Sequence, residues 1–139
     1  MRRSGVLHGE LAHRLALLGH TDRFVVADRG LPLPRSLPVI DLALVPGLVP
    51  FEVVLDALLG EVVVQAHVYA AEARERGDDA VAGVVMGWLA SRATLIGPGQ
   101  AVPHEEFKQL LADERVAFAV RTGEETPYAN VILEAGVPF

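Results

Sequence analysis

The chain has 139 residues and a mass of 14.9 kDa, the size of one domain with room for a proper hydrophobic core. Its net charge of −6 and pI near 5.3 argue against nucleic acid as a partner, because phosphate binding needs a basic face. Cysteine is absent, which removes disulfides, thiolate nucleophiles and Cys-ligated metals, while an apolar share of 51% with a mean hydropathy of +0.34 indicates an unusually buried interior or a large subunit interface.

Arg2 and Arg3 ahead of Val6 and Leu7 have the look of a signal peptide, but His8, Glu10, His13 and Arg14 interrupt any apolar core for one. Leu7, Leu11, Leu15 and Leu18 recur at helical spacing, so a helix is expected over about Gly9–Leu18, with Gly19 as its C-cap. Phe24–Ala27 is short, apolar and β-prone, as in a buried strand ended by Asp28. Gly30, Pro32, Pro34 and Pro38 then make a rigid irregular loop. Val39–Leu44 is the second expected strand, closed by Pro46-Gly47, and Pro50 opens a helix whose Phe51, Val54, Leu55, Leu58 and Leu59 keep helical period to Gly60.

Glu61–Ala70 is rich in valine and is expected as a strand reaching toward Glu72, followed by a charged, exposed connection over Arg74–Asp79. Ala80–Ala90 is apolar almost all round, which predicts a helix buried on more than one side. Thr94–Ile96 is expected as a brief strand before the Gly97-Pro98-Gly99 turn. Pro103–Phe107 opens a helix with acidic residues in its first turn and Phe107, Leu110 and Leu111 facing inward. Val116–Val120 and Tyr128–Leu133 complete the strands. This alternation predicts an α/β fold, a three-layer α/β/α sandwich around a mixed or largely parallel sheet in one domain. No apolar run approaches the roughly 20 residues of a bilayer-spanning helix, and no run of like charges marks a membrane surface, so a cytoplasmic protein is expected.

The usable chemistry is imidazole, carboxylate, tyrosine and amide. Of the five histidines, His8 and His13 lack metal-ligand spacing, and His13 reads as a solvated helix residue. His67 lies inside an apolar strand, as a satisfied core or interface histidine would. His20 and His104 stand at element ends beside Gly or Pro; from the residues alone a structural role is the simpler one for each. Asp28 is either the cap of the Arg29-Gly30 turn or a ligand acceptor. Asp41 and Glu72 fit a polar site at strand ends or simple salt bridges. Gly83 and Gly87, four apart in an apolar helix, permit close packing. No dinucleotide, Walker or nucleophile-elbow motif is present. The inventory suits proton transfer on a neutral polar ligand such as a sugar.

Four segments go further: Gly19-His20-Thr21-Asp22, Ala27-Asp28 with Gly30-Leu31-Pro32 and Pro34, His104-Glu105-Glu106-Phe107-Lys108, and Arg121-Thr122-Gly123-Glu124 with Thr126-Pro127-Tyr128-Ala129-Asn130. With Ile40-Asp41-Leu42 and Pro46-Gly47-Leu48, they make the chain resemble the D-ribose pyranase family, a sugar-handling group that includes the L-fucose mutarotases. The likeness spans the whole chain and departs most over Gly77–Val102. It implies a cofactor-free and metal-free isomerase that interconverts β-D-ribopyranose and β-D-ribofuranose. It further implies His20 as the proton donor, and Asp28, His104, Tyr128, Asn130 and the Ala129 backbone as sugar contacts. A ring-shaped homo-oligomer, typically a decamer, is also implied. A fucose-type mutarotase and a non-catalytic sugar-binding protein are the alternatives. A strand over Arg23–Ala27 would hold His20 and Asp28 roughly 17 Å apart at about 3.3 Å per residue, so a site composed between neighbouring subunits is expected.

Overall fold

A computed structural model of the chain describes residues 1–74 and 82–139. Its strands are β1 (Arg23–Ala27), β2 (Val39–Asp41), β3 (Val64–Ala70), β4 (Gly99–Val102), β5 (Val116–Arg121) and β6 (Val131–Ala135). Its helices are α1 (Gly9–Ala16), α2 (Phe51–Leu59), α3 (Ala82–Ala90), α4 (Ala93–Ile96) and α5 (His104–Leu110), with a 3-10 turn at Ala71–Ala73. The strands form one six-stranded sheet in the order β2-β5-β1-β6-β3-β4. All pairings are parallel except those of β6, which runs against both its neighbours, β1 and β3. The mixed α/β sandwich expected from the alternation is present.

Strand β1 reads as a continuous apolar run because both of its faces are covered. Phe24 and Val26 pack into one layer with Leu11 and Leu15 of α1, Val54, Leu55 and Leu58 of α2, and Val85 and Leu89 of α3. Val25 and Ala27 enter the other layer with Phe107 of α5, Leu111, and Leu31 and Leu37 of the proline-rich loop. Burial of each such large side chain stabilises the fold by about 1.5–3 kcal/mol. Phe24 stacks on Phe118 of β5 at 5.7 Å between ring centroids, locking the register of the parallel pair. The layers are unequal, with α5 and a loop on one face and α1–α4 on the other.

Several boundaries differ from the sequence reading, each for a local reason. Helix α1 ends at Leu17, whose φ is −90°, so Gly19 is not its C-cap; the left-handed residue of that turn is Thr21 at φ 70°. Strand β2 stops at Asp41, whose carboxylate accepts the Ala43 N–H and turns the chain out of the sheet. Strand β3 starts only at Val64, because the Glu61 and Val62 amides still donate to the Leu58 carbonyl. The expected strand at Thr94–Ile96 is instead the short helix α4; the Leu95 and Ile96 amides donate to Arg92. Gly97 at φ 65° then reverses the chain, and the strand beside β3 begins on the turn residue Gly99.

The α3 helix buries Val85 and Leu89 but exposes Gly83, Val84, Gly87 and Ala90, so it is covered on one side and not on several. An outer-layer helix touches the sheet along one stripe only, whatever its remaining faces are made of. A Cβ at Gly83 or Gly87 would meet nothing, so neither glycine serves close packing. Of the charged connection expected over Arg74–Asp79, Arg74 is exposed and the rest lies outside the described residues. Among the described residues no helix is long and apolar enough to cross a membrane.

One glycine is dictated by a close approach. A Cβ on Gly123 would overlap the Leu48 carbonyl, and the Gly123 N–H donates to Val49 O at 2.9 Å while its own carbonyl accepts from Gly47. Gly123→Ala is expected to destabilise the fold by about 1–3 kcal/mol through overpacking, read as a lower urea midpoint at unchanged slope. An unshifted midpoint would show that the loop yields freely.

Candidate active site

Five strands running the same way end at one edge of the sheet, where open α/β sheets form their ligand crevices. Asp28 follows β1, Glu72 follows β3, His104 follows β4 and Thr122 follows β5. Because β6 runs oppositely, its leading residue Asn130 lies at this same edge. A cavity of about 330 Å³ opens there between the Asp28–Pro32 loop, His104, Glu124, Glu125, Pro127, Tyr128 and Asn130. Asp28, His104, Tyr128 and Asn130 are thus brought together.

The cavity's polar groups are held by one another. Asp28 Oδ1 accepts from the Gly30 and Leu31 amides, both at 2.8 Å, capping the turn as an Asx residue does. Its Oδ2 accepts from Asn130 Nδ2 at 2.8 Å, and Asn130 Oδ1 accepts from the Asp28 amide at 2.9 Å. The Asp28 cap and the carboxylate facing the cavity are therefore one residue in both roles. The main-chain donor also fixes which end of the Asn130 amide faces the carboxylate.

Glu72 caps α5 instead of joining a salt bridge. Its two oxygens accept the His104 amide at 3.0 and 2.9 Å, and this bond holds its carboxyl below the usual range against the opposing effect of burial. His104 meets the Tyr128 ring edge-on at 5.1 Å, and its Nδ1 is buried without a hydrogen-bond partner. That atom is hydrogen-bonding capacity the described residues leave unfilled. Tyr128 sits at φ 62°, a left-handed backbone that a bulky residue adopts only under tertiary constraint.

Glu124 anchors the remaining wall. Burial works against its ionisation, but donations from the Thr126 hydroxyl and the Thr126, Phe51 and Glu125 amides outweigh it and keep the carboxyl below its usual range. Arg29 pairs with Glu125 at 2.7 Å across the mouth. Ala129 is fully buried behind the wall, its amide donating to Thr126 O, and is not among the lining residues.

His20 lies elsewhere. It occupies the turn before β1, at the opposite edge of the sheet, and does not line the cavity. The imidazole is exposed, and its Nε2 lies 3.0 Å from Gln65 Oε1. The other histidines are structural: His13 is solvated, and His8 Nδ1 accepts the Leu11 amide to cap α1. His67 is buried, Nδ1 facing Ile96 O at 3.2 Å, and burial pushes its pKa down. Of the two roles open to it, Asp41 takes the salt bridge, to Arg121 at 2.9 Å. Among the described residues no three His, Asp or Glu side chains gather as a metal ligand set.

Comparison with known proteins decides the relationship. The model of the RbsD / FucU transport protein family matches residues 1–138. The chain belongs to this family. A member from Cutibacterium acnes, named D-ribose pyranase, is 45% identical over 139 residues covering all of both chains. The structure of Bacillus subtilis RbsD complexed with D-ribose superposes with a TM-score of 0.87 at 41% identity, again covering both chains completely. A fucose mutarotase from Streptococcus pneumoniae, solved with L-fucose, has a TM-score of 0.73 at 21% identity over 94% of this chain and 93% of its own, a likeness of fold.

Within this RbsD / FucU chain, Glu124 and Gln65 are polar residues that sequence reasoning left without a site role, and Glu72 is one it left between a polar site and a salt bridge. Glu124 had a signal, standing inside the segment that carries the family resemblance. Gln65 had only its oddity as a polar residue between Val64 and Ala66, and Glu72 gave no sign that its partner would be a main-chain amide. Glu72→Gln is expected to lower stability at neutral pH by about 0.5–2 kcal/mol, the worth of a lost cap. Because the folded carboxyl titrates below 4.5, wild type's advantage is full above that pH and disappears as pH falls through the depressed value. Urea titrations of both proteins between pH 7 and 3 check this; a gap that stayed constant would refute the role of the charge.

Proposed function

We propose that the chain is a D-ribose pyranase, a cofactor-free isomerase converting β-D-ribopyranose to β-D-ribofuranose and back. The observation carrying this reading is the meeting of Asp28, His104, Tyr128 and Asn130 in one polar cavity, with Asp28 and Asn130 joined across 102 positions of sequence. Full-length identity of 45% with proteins named D-ribose pyranase supports the sugar assignment. The 21% identity to the fucose mutarotase supports no choice of fucose. The whole of 1–139 acts as one such domain, in the cytoplasm.

Asp28 and Asn130 present fixed acceptors and donors to sugar hydroxyls, and Tyr128 and His104 form the wall against which the ring lies. The Ala129 backbone supports both neighbours. His20 is the acid and base. In ring opening its imidazolium gives a proton to the ring oxygen as the bond from that oxygen to the anomeric carbon breaks. The anomeric hydroxyl becomes the aldehyde, and its proton passes to water. In closure the neutral imidazole takes the proton of the attacking hydroxyl as water returns one to the carbonyl oxygen. One imidazole can give and take a proton in turn, and general acid–base help of this kind is typically worth roughly 10²–10⁴-fold.

His20 and Asp28 flank opposite ends of β1, a span of about 17 Å at roughly 3.3 Å per residue, which supports a site completed by a second copy of the chain. The exposed Leu44, Val45 and Leu48, at 79%, 51% and 50%, and Leu17 at 64%, support a homo-oligomer, for which we adopt the decameric ring.

Exchange NMR on D-ribose is expected to show accelerated pyranose–furanose interconversion with the protein, and unchanged spectra would leave a sugar-binding protein as the reading. His20→Ala should lose roughly 10²–10⁴-fold in rate. Mixing inactive His20→Ala and Asp28→Ala chains under subunit exchange should restore part of the activity. No recovery in verified mixed oligomers would refute the shared site.

A further inference from the structure

The edge of the sheet that carries His20 has its own polar organisation. Glu134 of β6 stands directly across from Arg23 of β1 in the antiparallel ladder. Arg23 Nε and its terminal nitrogen donate to Glu134 Oε2 at 2.9 and 2.8 Å. Glu134 Oε1 accepts from Gln65 Nε2 at 2.9 Å, and Gln65 Oε1 faces His20 Nε2 at 3.0 Å. Arg23 and Glu134 are each only 17% exposed in their side chains, so the far end of this chain of contacts is well shielded.

The backbone aims Gln65 at this task. In the β3–β6 pairing Val64 faces Ala135 and Ala66 faces Glu134, so Gln65 is the extra residue of a β-bulge. Bulges re-aim a side chain that regular alternation would point elsewhere. Gly97, at φ 65°, makes room for the displaced Gln65 carbonyl, which a Cβ there would overlap. The turn that carries the histidine is pinned too, by Thr21 N–H on Ala135 O at 2.9 Å and by the Gly19 amide on Asp22 Oδ2 at 2.7 Å.

Hydrogen-bond polarity then runs one way. A carboxylate can only accept, so the Gln65 atom bonded to Glu134 is its NH₂ and the atom facing His20 is its carbonyl oxygen. A carbonyl oxygen can only accept, so His20 Nε2 carries a proton in the neutral ring as well as in the cation. We propose that Gln65, oriented by Glu134 and Arg23, is the positioning residue of His20, holding Nε2 protonated so that the proton exchanged with the sugar travels through Nδ1. This rests on the reading of His20 as the proton donor. No further atom is transferred: Nδ1–H is given up in ring opening and restored in closure, while Nε2–H stays on Gln65.

Long-range ¹H–¹⁵N correlation of the imidazoles in the ¹⁵N-labelled full chain tests this directly, with His20 assigned by comparison with His20→Ala. At a pH where the ring is neutral, His20 should appear as the Nε2-protonated tautomer; an Nδ1-protonated ring would overturn the proposal, and this result is read on the unsubstituted chain, the His20→Ala variant serving only to assign the signal. Gln65→Leu should turn the signal into a tautomer mixture. It should also lower kcat by roughly 10- to 100-fold, a part of the acid–base contribution, with KM nearly unchanged. A rise in KM at full kcat, or an unaltered tautomer, would equally overturn it. Full activity in His20→Ala would instead remove the proton-donor reading, while the tautomer result stands on its own.

Discussion

Strand β6 runs against both of its neighbours in the middle of a sheet whose other strands agree in direction. The polar groups at both edges depend on that reversal. Its leading end brings Asn130 beside Asp28, and its trailing end brings Glu134 beside Arg23 and Gln65. Run the other way, the strand would exchange these ends, setting a carboxylate against Asp28 and an amide against Arg23. The core of β6, Val131 to Leu133, is almost wholly excluded from water, so the strand that joins the two edges lies in the close-packed interior.

Asp28 and Glu124 of the cavity, and Glu72 behind its His104, are carboxylates stabilised chiefly by main-chain amides. Asp28 accepts from Gly30 and Leu31, Glu72 from His104, and Glu124 from Phe51, Glu125 and Thr126. Each bond ties a loop to the charge it holds, so the polar walls are set before any ligand arrives. Thr21 and Tyr128 are the non-glycine residues with positive φ among those described, and each adjoins a group assigned to the chemistry or the sugar. Such backbones persist only where surrounding bonds over-determine them. Thr21 has its amide on Ala135, and the Tyr128 carbonyl accepts from Asn130.

The apolar surplus in the composition is divided between two destinations. Much of it fills the two layers about the sheet. Another part stays on the surface of the chain, on the loop bearing Leu44, Val45 and Leu48 and on the outer side of α3. Composition could not distinguish an unusually buried interior from a subunit interface, and the folded chain has both a complete core and apolar residues left over.

The sequence by itself determined the layered α/β class and most helices and strands, while Asp28, His104, Tyr128 and Asn130 of the cavity came through motifs that resemble the D-ribose pyranase family. Those features follow from periodicity, chain-breaking residues and short motifs, all local in the chain. It also separated His20 from Asp28, because a five-residue strand has a fixed length. Tertiary structure alone decided that Thr94–Ile96 coils while Gly99–Val102 pairs, since a strand forms where an edge is available and not where its residues are most β-prone. It alone decided that β6 is reversed, that Glu72 serves an amide 32 positions away, and that a bulge turns Gln65 to His20. Hydrogen-bond partners distant in sequence are set by how strands are ordered and registered, and no local pattern of residues encodes that order.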